Sequence, residues 1–440
     1  MKANKISVFW FRRDLRLEDN TGLYKALQSG TPVLPIFIFD SNILNTLPKN
    51  DARVHFIYNT LKALDSRLKK AYNSGITIYQ GTPLDSFIKL TQQYSIDKVY
   101  TNDDYEPYAI QRDLDLSAFL KSKGIVFKAF KDHVIFERND IVKKDGTPYK
   151  VYTPYAKQWM IGIRSNPIQQ FPSQDYLHNL YTYTANTFPD LRDIGFVSPT
   201  IRIAPYNIKA SLIKNHEVTR NFPALEEGTS KVGPHLRFGT ISIRQLVNKA
   251  LVYKDNTYLK ALIWRDFFMQ ILWHYPQTLT QSFKPQYDFI EWRNNQKEFE
   301  LWCQGQTGYP LVDSGMRELN ATGHMHNRVR MIVASFLCKH LLIDWRWGEA
   351  YFAEKLNDFE CSSNIGNWQW SAGCGVDAAP YFRIFNPTSQ IQKFDKDHHY
   401  LKTWVPDYQE LSYPTPIVNH QFARTRCLNT FKAALSRSMP

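Results

Sequence analysis

Ile6-Ser7-Val8-Phe9-Trp10-Phe11, followed at once by Arg12-Arg13-Asp14-Leu15-Arg16, decides how the first third of the chain is read. Five residues of the opening run are β-branched or aromatic, the composition of a strand. Similar short runs recur at residues 33–39, 76–79, 98–100 and 126–130, and the segments between them carry apolar residues at helical spacing. In 53–71, for example, Phe56, Ile57, Leu61, Leu64 and Leu68 form one stripe with a charged face opposite. Residues 83–94 and 108–123 follow the same pattern. Alternating strands and helices predict a parallel α/β sheet, Rossmann-like in layout. No G-x-G-x-x-G follows the first strand, so no dinucleotide is expected there.

Beyond this region the pattern changes twice. Residues 133–200 break into Pro, Asn, Tyr and Ser clusters such as Thr153-Pro154 and Phe171-Pro172-Ser173, which read as a connector ordered by its aromatic content. Residues 201–440 are dominated by helical patterns, clearest at 258–275 and 325–342. The expected organisation is an α/β domain over 1–132, a connector over 133–200, and an all-α domain over 201–440. A chain of 440 residues exceeds what one core supports, which agrees with two domains.

Composition narrows the function. The net charge of +13 favours a polyanionic partner, and residues 202–265 concentrate it, with eleven Lys/Arg against four Asp/Glu. Five cysteines without a C-x-x-C argue against a disulfide framework and against a structural zinc site, so no metal is expected. No signal peptide and no bilayer-length apolar run are present, so a soluble cytoplasmic protein is expected. Eleven tryptophans are present, nine of them after residue 260. That concentration reads either as a large aromatic core or as a stacking surface for a planar ligand or unstacked bases.

The run 10–16 resembles the opening of the photolyase/cryptochrome family, and further matches follow in family order. They are Thr229-Ser230-Lys231-Val232-Gly233, Leu262-Ile263-Trp264-Arg265-Asp266, Gly308-Tyr309-Pro310, Met325-His326-Asn327-Arg328-Val329-Arg330-Met331, Asn364-Ile365-Gly366-Asn367-Trp368-Gln369-Trp370 and residues 377–387. The resemblance spans nearly the whole chain and is nearest to bacterial class I cyclobutane pyrimidine dimer photolyases. It implies an N-terminal antenna domain, a helical domain holding FAD, damaged DNA as partner, a monomer, and light-driven repair by electron transfer to a flipped-out dimer. A second, antenna chromophore is implied as well, of a type the residues leave open; 102–106 lies in the relevant part of the first domain.

The resemblance also implies roles. Thr229, Ser230, Lys231, Val232 and Gly233 would bind FAD phosphates; the plain alternative is an ordinary helix N-cap. His216, Tyr258 and Arg265 would contact the cofactor, Asn364 would face flavin N5, and Arg330 and Asp358 would pair over the ring with Glu360 beside them. Trp368, Trp345 and Trp292 match an electron relay. Arg220, Ala261, Trp264, Asn327, Met331, Trp370 and Gln390 match substrate or DNA contacts. Without the resemblance, Tyr258, Leu262 and Trp264 would be read as helix core, and Asp358 and Glu360 as a solvated acidic edge.

Several positions depart from the family pattern: His216 stands for a tyrosine, Gly233 for a serine, Glu360 for an aspartate, His324 for a tryptophan, and Ala261 for a glutamate that hydrogen-bonds the flipped pyrimidine. Ala261 favours the alternative of a cryptochrome-like blue-light photoreceptor with little or no repair. Asn364, Asn327, Met331 and the basic charge favour the enzyme.

Overall fold

The computed structural model describes residues 5–183, 187–253 and 257–437. Five parallel strands, β1 (Ile6–Phe11), β2 (Val33–Asp40), β3 (Thr77–Gly81), β4 (Ile96–Asn102) and β5 (Val126–Phe130), form one sheet in the order β3-β2-β1-β4-β5. Every residue of β1 and β2 is buried, as expected for the middle of a sheet covered on both faces, while β3 and β5 at the edges are less buried.

Strand alternation sorts the side chains into two cores. Phe9, Phe11, Phe37 and Phe39 pack with Leu23 and Leu27 of α1 (Thr21–Leu27) and with Val54, Leu61 and Leu68 of α2 (Ala52–Tyr72). On the other face Val8, Trp10, Ile36 and Ile38 pack with Phe87 and Leu90 of α3 (Pro83–Gln93) and with Leu116 and Leu120 of α4 (Pro107–Ser122). Helix starts follow local chemistry: Asp51 caps α2 through the Arg53 N–H, and Thr82 caps α3, whose first residue is Pro83.

The chain divides into two compact units. The first comprises 1–137, 163–204 and 232–249; the second comprises 138–162, 205–231 and 250–440. The segment expected as a connector is therefore shared between them, and 232–249 packs with the sheet rather than with the helices that follow.

Among its described residues the second unit has helices and no named strand. Those that carry candidate residues are α5 (Tyr152–Ser165), which begins in this unit, α6 (Ala210–Thr219), α7 (Thr257–His274), α8 (Asn327–Ser335), α9 (Trp345–Lys355), α10 (Cys361–Ala372) and α11 (Pro387–Phe394). Their core holds Trp302, Val333, Phe336, Trp345, Phe352, Trp368 and Phe431. The helix expected over 325–342 is shorter as an α-helix: α8 ends at Ser335 and continues into one π-helical stretch, Phe336–His340. That stretch buries Lys339, whose Nζ donates to the Arg383 carbonyl at 2.9 Å.

Candidate functional site

A cleft opens between α8, α9 and α10, lined by Asn327, Arg330, Met331, Phe352, Leu356, Asp358, Glu360, Asn364, Trp368 and Trp370 among others. Eight of the residues singled out in the sequence meet here: Asn327, Arg330 and Met331 from α8, Asp358 and Glu360 from the turn before α10, and Asn364, Trp368 and Trp370 from α10. Spacing explains Asn364 and Trp368, which lie four apart on one face of α10, while Trp370, two residues on, lines the cleft from a different face.

Arg330 is fixed at both ends, with Nε donating to the Met325 carbonyl at 2.7 Å and Nη2 donating to Asp358 Oδ2 at 2.9 Å. Asp358 Oδ1 is buried and has no hydrogen-bond partner in the protein. An unpaired buried carboxylate oxygen costs about 1–3 kcal/mol or more, so it marks a group awaiting a donor. Glu360 is engaged otherwise: its Oε2 accepts from the Ser363 N–H at 3.1 Å and the Ser362 hydroxyl at 2.6 Å, capping α10. Asn364 Nδ2 donates to Glu349 Oε1 at 2.8 Å and to the Glu349 carbonyl at 3.1 Å. Burial pushes the Glu349 carboxyl above its ordinary range, and the Asn364 bond opposes that shift. Glu349 escaped the sequence reading because its pairing with Asn364 is tertiary, and its own helix gives no hint of it.

The donor set suits an isoalloxazine ring: an arginine–carboxylate pair with one free oxygen and one amide, set among Met331, Phe352, Leu356 and Trp368. Flavin sites need few polar groups on largely apolar walls.

Trp368 is buried at the cleft wall, edge-on to Phe352 (4.9 Å, 78°) and to Trp302 (6.2 Å, 69°). Gly348 of α9 abuts it, and Trp345 stands one helical turn before that point. Trp345 is buried with Arg346 over its ring at 4.8 Å, and half-buried Trp292 meets Phe431 edge-on at 5.9 Å. All three tryptophans belong to or pack against one core.

Other candidates lie outside the cleft lining. Tyr258 donates to Ser230 Oγ at 3.1 Å, and its ring meets His216 edge-on at 5.1 Å. Burial pushes the Tyr258 hydroxyl up to about 12; burial, with Arg220 nearby, pulls His216 down to about 4. Lys231 has a positive φ of 51°, and the helix that begins at Gly233 has only five residues, Gly233–Arg237, so little helix dipole supports this loop. Thr229 and Lys231 are half-buried and Val232 is buried beside them. Arg265 follows Tyr258 on α7.

Ala261 is exposed on α7, and Trp264, one turn on, is half-buried. Arg220 ends α6 and is exposed, and Gln390 lies half-buried on α11. Sequence reading missed their neighbours. Arg328 donates to Asn221 Oδ1 at 2.6 Å and lies over the Phe394 ring at 4.5 Å. Its guanidinium is held below its ordinary value by burial first and then by Arg220 and Arg383, so three cations converge there.

Residues 7–173 match the sequence profile of DNA photolyases, and residues 258–412 match that of the FAD binding domain of DNA photolyase. A deoxyribodipyrimidine photo-lyase of Synechococcus is 35% identical across 98% of this chain and 97% of its own length. Among solved structures, a bacterial class III photolyase from Agrobacterium tumefaciens is similar with a TM-score of 0.85 and 31% identity, covering 99% of each chain. An archaeal photolyase from Sulfolobus tokodaii, described with two FAD molecules, has a TM-score of 0.83 and 31% identity, covering 97% of this chain and 99% of that one. The chain belongs to the photolyase/cryptochrome family. Within it the photolyase reading holds, an FAD-dependent enzyme that repairs pyrimidine dimers in damaged DNA, and the photoreceptor alternative is not favoured. Among the described residues no helix is long and apolar enough to cross a membrane.

Proposed function

We propose that the cleft between α8, α9 and α10 seats the flavin ring next to the place where a flipped-out pyrimidine dimer is received. The observation that carries this reading is the convergence on one cleft of Arg330, Asp358, Asn364 and Trp368 with Asn327, Met331 and Trp370, Asp358 keeping one buried oxygen unpaired. Bound there, FAD supplies the light-driven electron that splits the dimer. Arg330 and Asp358 hold the ring's polar edge, and Asn364, oriented by Glu349, presents its amide to it. Met331, Phe352 and Leu356 keep the cleft dry. His216, Tyr258, Arg265 and the loop 229–233 hold the rest of the cofactor. Trp292, Trp345 and Trp368 pass an electron inward from the protein surface toward the cleft.

Asn327, Met331, Trp264 and Trp370 receive the dimer, and Ala261 occupies a position that could reach its edge. Arg220 and Gln390, with Arg328 and Arg383 beside them, bind the DNA backbone, where basic side chains give affinity without sequence preference. In the sheet unit, the carboxyl ends of β1 and β4 lie where the strand order turns, the usual seat of ligands in such sheets, and are the proposed place of an antenna chromophore. The five cysteines are all free, which supports a cytoplasmic location, and we take the protein to act as a monomer. The deciding experiment is light-dependent repair of a dimer-containing oligonucleotide by reduced protein, compared with Asp358→Ala. Repair by wild type and loss of bound flavin in the variant are expected. Full flavin occupancy in Asp358→Ala refutes the assignment of this cleft.

A further inference from the structure

Trp264 is not alone on its face of the second unit. The ring of Tyr152, the first residue of α5, lies parallel to it with centroids 3.9 Å apart and an interplanar angle of 5°. Aromatic pairs prefer offset or edge-to-face arrangements, because the negative faces of two rings repel. At this separation and angle the two rings are in face contact, and contacts outside the pair fix the arrangement. Three tethers impose it. The Tyr152 hydroxyl donates to the Lys260 carbonyl at 2.9 Å, its backbone N–H donates to Asp377 Oδ2 at 3.1 Å, and its ring meets Phe267 edge-on at 6.0 Å. Trp264 is held on its other sides by Phe267, edge-on at 5.5 Å, and by Phe268, tilted at 5.3 Å. Phe268 is itself wedged: a Cβ on Gly366 of α10 would come within 2.2 Å of its ring. Both Tyr152 and Trp264 remain half-buried, so the pair is a fixed surface feature and not part of the closed core.

We propose that Tyr152 is a positioning residue for substrate: it clamps Trp264 from behind and presents the free side of that indole, already oriented, to an unstacked pyrimidine dimer. The proposal rests on the reading of Trp264 as a wall of the dimer site. Its physical content is preorganisation. A tryptophan fixed before the base arrives loses no rotamer freedom on binding, and an immobilised side chain otherwise charges that loss to affinity. Through Asp377 the same residue joins α5 to the start of the segment 377–387, which carries Arg383.

The test is a double-mutant cycle on binding to dimer-containing and undamaged duplexes, with Tyr152→Leu, Trp264→Leu and the pair together. Tyr152→Leu should weaken dimer binding by about two- to twelvefold, the size of an aromatic pair's own contribution, and leave the undamaged duplex alone. In the Trp264→Leu background it should add nothing, because the residue it acts through is gone. The loss should fall on affinity and not on repair per absorbed photon at saturating DNA, and Tyr152→Phe, which keeps the ring, should restore affinity. Flavin absorbance of each purified variant reports whether the fold is intact. If Trp264→Leu weakens dimer binding and Tyr152→Leu does not, the clamp is refuted while the wall stands. Tighter dimer binding by Tyr152→Leu also refutes it, showing that the tyrosine covers the stacking face instead of backing it. If Trp264→Leu itself leaves dimer binding unchanged, the wall and the clamp fall together.

Discussion

Gly348→Ala is the sharpest perturbation the structure offers, because one methyl group would strike a residue of the electron path. A Cβ built on Gly348 would lie 2.1 Å from Trp368 Cη2, 2.4 Å from Cζ3 and 2.6 Å from Leu337 Cδ2. Against an ordinary contact of 3.4 Å, the indole must retreat by about 1.3 Å. Trp368 is 2% exposed and boxed in by Phe352 and Trp302. Two effects compete: alanine in a helix interior gains roughly 0.5–1 kcal/mol over glycine, and overpacking a tight core costs about 1–3 kcal/mol. The variant should therefore lose roughly 1–2 kcal/mol, read as a lower denaturant midpoint for the helical unit followed by tryptophan fluorescence. Photoreduction of bound flavin, followed by absorbance under blue light, should slow as well. Adding Trp368→Phe should recover the stability by shrinking the ring, without recovering photoreduction. A variant as stable as wild type with unchanged photoreduction would show that α9 does not pin Trp368, and the reasoning would fail.

Trp345→Phe should nearly abolish photoreduction of oxidised flavin while flavin stays bound, and chemically reduced variant should still repair; unchanged photoreduction kinetics remove Trp345 from the path. Arg220→Ala should lower the slope of log K against log[salt] for DNA binding by about one, and an identical slope means its guanidinium touches no phosphate. Because burial raises the Glu349 carboxyl, the folded state holds that proton more tightly than the unfolded chain does, and stability falls as pH rises from the ordinary value of 4.5 through the raised one. Glu349→Gln keeps an acceptor for Asn364 without the charge, so it should flatten that fall and match or exceed wild type at neutral pH; a parallel pH profile refutes the assignment. Ala261→Glu adds a carboxylate one turn before Trp264 and should raise dimer affinity or repair yield, compared with flavin fully reduced in both proteins; an equal or poorer variant shows a pocket built around alanine.

The sheet was legible because its central strands have no exposed face. β1 and β2 are buried throughout, so their sequences are unbroken apolar runs apart from Ser7 and Asp40, and β1 was read to the residue. β4 was read as three residues of its seven, 98–100, because Asp97 near its start pairs with Lys98 at the surface, while Thr101 and Asn102 at its end are buried through hydrogen bonds to partners far along the chain. Hydrophobic pattern cannot report a polar residue that tertiary bonding satisfies. The division into units was hidden for the same reason. His235 bonds the Ala204 carbonyl, and Arg244 pairs with Asp19 and Asp132, contacts spanning up to 225 residues that hold 232–249 to the sheet.

The two carboxylates at 358 and 360 show where motif ends and geometry begins. Two apart before α10, they read equally well as a solvated edge or as flavin ligands, and the family pattern offers aspartate at the second position where this chain has glutamate. Geometry separates them. Glu360 has one more methylene, and its Oε2 reaches the Ser363 N–H and the Ser362 hydroxyl, closing the first turn of α10. An N-cap of this kind is worth about 0.5–2 kcal/mol, so the carboxylate has a structural reason to stay. Asp358 has spent one oxygen on Arg330 and keeps the other buried and unpaired. The group with unsatisfied bonding capacity is the one a ligand can gain from, so Asp358, rather than Glu360, is where a change should be felt in flavin affinity. Glu360→Gln, which keeps an acceptor for the cap, should retain flavin, whereas Asp358→Asn, which weakens the pair with Arg330, should lose it.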